Sequence, residues 1–336
     1  MPIVTRSYPR AALVGNPSDG YYGKTIAFVF GNFRAEVRLW ESPTLVILPS
    51  DRDKSVFASM EQLVEDIRSY NYYGGIRLLK AAIKCFYEYC KGESIALDQR
   101  NFTLRYDSTI PHRLGLAGSS AIITACMRGL MQFYKITIPN PLLANLILSV
   151  EKDELQIGAG LQDRVAQVYQ GLVYMDFDRV IMEKQGYGNY VSLDIGLLPS
   201  LYIAYRTDLA EGSEVTHNDL RERYNSGEAD VLDAMTQLSE LTAQAKALLE
   251  ARRGAEIGGI VNRNFDLRRS ILKISEGNLS MVETARSVGA SANFTGSGGA
   301  IIGTYTDDAM YECLKTTLSS ISVKVIKPEI VPAADL

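Results

Sequence analysis

The chain has 336 residues, which is long for one hydrophobic core and favours two domains. Hydrophobic residues make up 46% of it and charged residues 22%, as in ordinary globular proteins, and the formal net charge of -4 argues against a nucleic-acid surface. No apolar stretch reaches transmembrane length, no signal-peptide core is visible, and the 4 cysteines lack metal-ligand spacing. We therefore expect a cytoplasmic protein with free thiols that contacts neither nucleic acid nor membrane.

Strand-like and helix-periodic segments alternate through the first part of the chain. Strands are predicted at 10–15, 25–30, 34–40, 45–48, 101–107, 171–177 and 190–195, and helices at 56–69, 74–90, 119–134 and 141–157. The segment Leu197-Leu-Pro-Ser200 then marks a candidate domain boundary. The first expected domain therefore covers 1–197.

Long helical segments dominate the remainder, which is the second expected domain, 198–336. Strands are predicted at 201–205, 300–305 and 323–327, and helices at 229–252, 256–274, 278–288 and 307–318. Strands mixed with paired helices indicate α+β layers rather than regular βαβ winding.

The most informative segment is Ile110-Pro-His-Arg-Leu-Gly-Leu-Ala-Gly-Ser-Ser-Ala121, which leads into the helix predicted at 119–134. Its glycines let backbone N–H groups approach a ligand closely, and the helix directs the positive end of its dipole there. Such a turn binds anions, most usefully nucleotide phosphates, although the residues alone also fit a tight connection. No Gly-Lys-Ser/Thr ends the segment, so it is not a Walker A loop.

A polar turn follows the strand at 10–15. Asn16, Ser18 and Asp19 offer short donors and acceptors that suit sugar hydroxyls, and turns at strand ends are where ligand groups concentrate. A strand end with good turn chemistry is the alternative interpretation. We add Tyr21 as a ring that flanks a sugar and Lys24 as a nearby cation.

Two further turns carry candidate chemistry. Asp163 follows the break Gly158-Ala-Gly160 at a helix start, where a carboxylate facing a cleft can accept the proton of a substrate hydroxyl. The glycine cluster Gly296-Ser-Gly-Gly299 precedes a buried strand, where a ligand loop, a hairpin turn or a β-bulge would each use glycine.

These segments, in this order, resemble the three motifs of the GHMP small-molecule kinases. The resemblance implies a catalytic base at Asp163, charge stabilisation by Arg10 and hydroxyl binding by Asp19. The residues implied to bind the ATP phosphates are Gly115, Leu116, Ala117, Gly118, Ser119, Ser120 and Ala121, and those of the C-terminal substrate loop are Gly296, Ser297, Gly298 and Gly299. The implied fold is the two-domain α+β GHMP kinase fold, with an N-terminal α/β domain around a mixed sheet and a C-terminal ferredoxin-like α+β domain.

The resemblance also implies Mg²⁺, held by the last serine of the phosphate loop and by a glutamate on the helix before Asp163. That serine is Ser120. Glu151 has the better spacing for the glutamate, and Glu154, three residues further on the same helical face, is the alternative. Because Mg²⁺ keeps several waters, one serine oxygen, one carboxylate and the nucleotide phosphates suffice.

Within the superfamily, the chain most resembles plant-type glucuronokinases. Segments that carry this resemblance are Asn16-Pro-Ser-Asp19, Ile110 to Ala121, Asn264-Phe-Asp-Leu-Arg-Arg269, Met281-Val-Glu-Thr-Ala-Arg286 and Phe294-Thr-Gly-Ser-Gly-Gly-Ala300. The resemblance implies ATP-dependent phosphorylation of the anomeric hydroxyl of D-glucuronate, and we expect a monomer or homodimer. A GHMP kinase for another sugar or small acid, and a catalytically silent sugar or nucleotide sensor, are the alternatives.

A sugar acid needs a cation for its carboxylate. Arginine binds carboxylates bidentately, so several arginines join Lys24 as candidates. They are Arg113, Arg164, Arg221, Arg223 and Arg268. Each also fits the ordinary role of a partner in a surface ion pair.

Overall fold

The computed structural model describes residues 1–50, 53, 58–64, 74–112, 114–206 and 213–333, with the backbone alone at 213–218. Arg113 and most of the helix expected at 56–69 lie outside these residues, although 60–64 are helical.

The labelled strands are β1 (Ile3–Ser7), β2 (Arg10–Val14), β3 (Lys24–Val29), β4 (Ala35–Ser42), β5 (Val46–Leu48), β6 (Asn101–Ser108), β7 (Leu172–Asp176), β8 (Asn189–Leu193), β9 (Leu201–Tyr205), β10 (Asn293–Phe294), β11 (Ala300–Thr304) and β12 (Lys324–Ile326). The labelled helices are α1 (Gly75–Gly92), α2 (Gly118–Tyr134), α3 (Asn140–Ser149), α4 (Leu161–Tyr169), α5 (Arg179–Gln185), α6 (Ser213–Asn225), α7 (Ala229–Glu250), α8 (Gly258–Ile271), α9 (Glu276–Ser287) and α10 (Asp308–Ser319). A π-helical turn, Val150–Glu154, follows α3.

The first of two compact units consists of Met1–Tyr8, Phe33–His112 and Gly118–Ala159. Its sheet has the order β1-β4-β6-β5, in which β5 runs parallel to β6 and the other neighbours are antiparallel. The sheet is therefore mixed, as expected for the N-terminal part of the chain.

Helix α2 packs directly on β1 and β4 of this sheet. A Cβ on Gly129 would lie 3.3 Å from Thr5 Oγ1, and that hydroxyl donates a 2.7 Å hydrogen bond to the carbonyl of Ala125. Glycine is unfavourable inside a helix, but here it lets the helix approach the strand closely. This packing fixes the first turn of α2, which contains Ser119 and Ser120.

The second compact unit consists of Pro9–Asn32, Arg113–Ala117 and Gly160–Leu336. One of its sheets is antiparallel with the order β2-β3-β7-β8. Helices α4 and α7 both pack against β3 of this sheet. Strand β2 is buried along its whole length, so the turn after it starts from a fixed point.

The other sheet of the second unit is antiparallel with the order β10-β11-β9-β12. Together with the helices between its strands, it has the βαββαβ connectivity of ferredoxin-like domains. Phe265 on α8 and Phe294 on β10 lie in its core, with their rings edge to face and 5.3 Å apart. The expected α+β class is confirmed.

The bounds of the elements agree with the prediction at some places in the chain and differ at others. Strand β9 has the bounds predicted for it, 201–205. The helix expected at 141–157 is wrong beyond Ser149, because the chain enters the π-helical turn and Gln156 then adopts a φ of 56°. Strands β1 and β10 and helices α5 and α6 were not predicted.

The boundary expected after residue 197 falls inside the second compact unit, since the units follow packing rather than chain order. The division into 1–197 and 198–336 therefore stays a prediction. Cys85, Cys90 and Cys126 are buried, Cys313 is exposed, and all are free thiols, as expected. None of the helices in the described ranges is both long and apolar enough to cross a membrane.

Candidate active site

The guanidinium of Arg10 joins three of the predicted motifs within the second unit. Arg10 begins β2 and is 4% exposed. Its Nε donates to Asp163 Oδ1 at 2.6 Å, and its Nη1 donates to the carbonyls of Gly115 at 2.7 Å and Thr295 at 2.5 Å. The catalytic candidate, the start of the phosphate loop and the C-terminal glycine loop therefore share one buried cation.

Glycine is required where these two loops meet. Gly115 has a φ of +62°, and a Cβ on it would lie 2.7 Å from the backbone nitrogen of Ser297. A Cβ on Gly296 would lie 2.9 Å from Arg10 Nη1 and would overlap the carbonyl of Gly115. The two glycine motifs are thus in backbone contact, which only residues without a side chain permit.

Asp163 lies in the first turn of α4 beside two arginines. Arg10 holds Oδ1, and Arg164 Nη1 lies 3.3 Å from Oδ2. Burial acts to raise the pKa of the Asp163 carboxyl, but the charges of Arg10 and Arg164 outweigh it and hold the pKa below its ordinary value. Asp163 is therefore ionised at neutral pH, as a general base must be.

Asp19 lies in the short 3-10 helix Ser18–Tyr21 and next to Gly160, because a Cβ on Gly160 would overlap the Asp19 carboxylate. Burial raises the pKa of Asp19 to about 6, the Asp163 charge adds to this effect, and Arg10 opposes it. The site thus contains two carboxyls whose pKa values are moved in opposite directions.

The other residues of the polar turn are held by the protein itself. Ser18 is buried and donates a 3.0 Å hydrogen bond to the carbonyl of Lys24. Tyr21 is 6% exposed, with the Tyr224 ring 4.7 Å away and the Arg221 guanidinium 4.5 Å from its own ring. Sugar contacts of Ser18 and Tyr21 stay predictions.

Lys24 on β3 forms an ion pair with Asp176, its register partner on β7. Its charge is balanced within the sheet. Substrate binding by Lys24 stays a prediction, and the ion pair weakens it.

The predicted magnesium ligands lie in the first unit. Ser120 in α2 is 1% exposed, and Glu151 in the π-helical turn is 2% exposed. The alternative, Glu154, accepts a 2.6 Å hydrogen bond from Lys84. Buried hydroxyl and carboxylate oxygens are hard ligands of the kind that Mg²⁺ prefers, so Glu151 remains the better candidate.

Three further polar side chains, for which the sequence predicted no role, hold the loops. Asn264 on α8 accepts from the Gly15 N–H at 2.6 Å and donates to the Asn16 carbonyl at 3.1 Å. Asn278 on α9 accepts from the Gly299 N–H at 2.8 Å. Gln167 on α4 donates to the Ala117 carbonyl at 2.8 Å. Two of them were marked by the sequence, because Asn264 and Gln167 lie in segments, 264–269 and 159–169, that resemble glucuronokinases.

A family model described as the GHMP kinases N terminal domain matches residues 77–171. "Probable glucuronokinase 2" of Arabidopsis thaliana is 44% identical over 304 residues, which cover 88% of this chain and 82% of that protein. "Glucuronokinase 1" of the same plant is 43% identical over 306 residues, which cover 89% of this chain and 84% of that protein.

Solved structures show the same fold at lower identity. A phosphomevalonate kinase of Streptococcus pneumoniae has a TM-score of 0.74 and 14% identity, with 98% of this chain and 100% of that chain covered. The galactokinase of Lactococcus lactis, solved in complex with galactose, has a TM-score of 0.74 and 15% identity, with coverage of 99% and 95%. By its sequence relatives and its fold, the chain belongs to the GHMP kinase superfamily of ATP-dependent phosphotransferases, as a glucuronokinase-like member.

Proposed function

We propose that this kinase transfers the γ-phosphate of ATP to the anomeric hydroxyl of D-glucuronate, giving glucuronate 1-phosphate and ADP. The observation that carries the proposal is the pairing of Asp163 with Arg10 and Arg164. It gives an ionised base beside two glycine loops, in a chain 44% identical over 304 residues to a probable glucuronokinase. A silent sensor would not need such a base.

Phosphoryl transfer leaves the protein mainly with positioning and charge stabilisation. Asp163 orients the anomeric hydroxyl and takes its proton as the sugar oxygen attacks the γ-phosphorus in line. The bond from this phosphorus to the β–γ bridging oxygen breaks, and ADP leaves without a phosphoenzyme. Arg10 holds the base in place and supplies positive charge near the transferring group.

The binding groups follow from the same loops. Backbone N–H groups of 115–121 cradle the ATP phosphates, and the start of α2 favours their negative charge. Asn16 and Asp19 bind sugar hydroxyls, with 296–299 closing the substrate side. The cytoplasm is the proposed compartment, because the free cysteines fit a reducing environment, and the enzyme is proposed to be a monomer or homodimer.

Mg²⁺ bound with the nucleotide would neutralise phosphate charge, and Ser120 and Glu151 would hold it. Both are buried oxygen ligands within one unit. The described residues contain no group of three or more His, Cys, Asp and Glu that could hold a metal ion. A site with few protein ligands fits Mg²⁺, which usually keeps waters and substrate phosphates as its other ligands.

The first prediction concerns the substrate. With ATP and Mg²⁺, glucuronate should be phosphorylated, and glucose should have a kcat/KM lower by at least about thirtyfold, because a buried cation left unpaired costs roughly 2–5 kcal/mol. The product should no longer reduce alkaline copper, since its anomeric oxygen is blocked. Equal kcat/KM values, or a reducing product, would contradict the proposal.

Asp163→Asn should lower kcat roughly a hundredfold or more, because the amide keeps the size of the side chain but cannot take the proton. The KM for ATP should hardly change. The control is Asp153→Asn, which alters an exposed acid and should leave kcat unaffected. Turnover of Asp163→Asn within about threefold of wild type would remove Asp163 from the mechanism.

Ser120→Ala and Glu151→Gln should each raise the Mg²⁺ concentration needed for half-maximal activity, because each removes one hard oxygen ligand. Glu154→Gln, which removes only the partner of Lys84, should leave that requirement unchanged. The measurement is a Mg²⁺ titration at fixed ATP. A defect in Glu154→Gln but not in Glu151→Gln would reverse this assignment.

A further inference from the structure

The sequence left open which cation receives the carboxylate of the sugar acid, and the described structure separates the candidates. Arg164 lies against Asp163, Arg223 pairs with Glu228, and Lys24 pairs with Asp176. Arg221 is stacked over a tyrosine ring. Arg164, Arg223 and Lys24 therefore have their charges paired with acids, and the guanidinium face of Arg221 is covered by a ring.

Arg268 differs from Arg164, Arg223 and Lys24 in its charge and from Arg221 in its burial. Its guanidinium face also lies over an aromatic ring, that of Phe294 at 5.0 Å, which leaves the edge of the guanidinium for a ligand. Arg268 is 2% exposed, and no acidic group among the described residues lies within ion-pair distance of it. Its Nη1 donates to Asn16 Oδ1 at 2.5 Å, and its Nη2 has a long contact of 3.5 Å with the Ser297 carbonyl. Within the described ranges, its Nε has no hydrogen-bond partner. A buried guanidinium without a counter-ion is costly unless a ligand supplies the negative charge.

The position of this guanidinium follows from the sequence of α8. Asn264 and Arg268 are four residues apart, so they lie on the same face of the helix. Asn264 binds the backbone on both sides of the Gly15–Asn16 peptide, and Arg268 binds the Asn16 side chain one turn later. The cation is therefore held between two segments proposed to bind the sugar, the turn at 16–19 and the loop at 296–299.

The local charges point the same way. Burial lowers the pKa of Arg268 to about 10, the Arg10 charge adds to that effect, and Asp19 opposes it. The guanidinium stays protonated at neutral pH, and of the two charges that act on its pKa the larger effect is that of Arg10. An anionic ligand group at this point would be favoured by both arginines.

We propose, on the basis of the proposed glucuronokinase function, that Arg268 binds the C6 carboxylate of the sugar acid and thereby sets specificity for it. The carboxylate accepts one hydrogen bond from Nε and one from Nη2, so that it is bound bidentately along one edge of the guanidinium. The Ser297 carbonyl of the loop at 296–299 contacts this edge. The loop moves aside when the ligand binds. Asn16 orients the guanidinium through Nη1.

The experiment measures kcat/KM for glucuronate and for glucose in the wild type, Arg268→Met, Arg268→Lys and the control Arg269→Met. Arg269 is the neighbouring arginine, with a side chain that is 53% exposed and 3.5 Å from Glu283. Arg268→Met should lower the glucuronate-to-glucose ratio by at least about thirtyfold, with the loss confined to glucuronate. Arg269→Met should keep the wild-type ratio.

Arg268→Lys covers the case in which Arg268→Met does not fold, because it keeps the charge and most of the side chain. It should still lower the glucuronate-to-glucose ratio by about tenfold, since an ammonium group cannot donate two parallel hydrogen bonds to the carboxylate. The KM for ATP and the thermal midpoint of Arg268→Lys should stay near wild type.

The outcomes separate the two proposals. A wild type without preference for glucuronate overturns both the function and the role of Arg268. A wild type that prefers glucuronate, with an unchanged ratio in Arg268→Lys and in any folded Arg268→Met, overturns the role of Arg268 alone. A parallel loss for both sugars would also overturn it, because it would show a structural role.

Discussion

The buried guanidinium of Arg10 is the interaction on which the site depends. It bonds Asp163 and the carbonyls of Gly115 and Thr295, which belong to three segments far apart in the sequence. Removing one partner of a buried ion pair costs roughly 3–5 kcal/mol, because the other charge is left uncompensated. The geometry of the Asp163 carboxylate and of both glycine loops is therefore coupled to one side chain.

Arg10 lies near two acids whose pKa values are shifted in opposite directions. Asp163, which is bonded to Arg10 and lies beside Arg164, has a lowered pKa and remains a carboxylate. Asp19 makes no such ion pair within the described residues, and burial raises its pKa to about 6. Environments that push the pKa values of two acids apart suit them to different tasks, and the difference fits the roles proposed here, proton acceptance for Asp163 and hydroxyl binding for Asp19.

Local features of the site were predictable from the sequence, and long-range pairings were not. The glycine loops were visible because backbone contact at Gly115 and Gly296 requires glycine itself. The partner of Lys24 was not, because Asp176 is 152 residues away and meets it only through strand pairing. Strand β1 was missed for a similar reason. Exposed and buried positions alternate along its second half, and the strand is stabilised by pairing with β4 and by the packing of α2 against it. Arg268 was one of several equivalent arginines until the fold showed that it is buried and lacks an acidic partner among the described residues.

The most direct test of this account is the pH dependence of kcat/KM for the sugar, measured at saturating ATP and Mg²⁺ in the wild type and in Asp19→Asn. Below its pKa of about 6, Asp19 is protonated and loses its charge, so wild-type kcat/KM should fall as the pH drops through this value. Asp163, with its lowered pKa, should still be ionised there. Asp19→Asn should have a lower kcat/KM, and its pH profile should lack the inflection near pH 6. The same inflection in Asp19→Asn would assign the titration to another group and contradict the division of roles between the two acids.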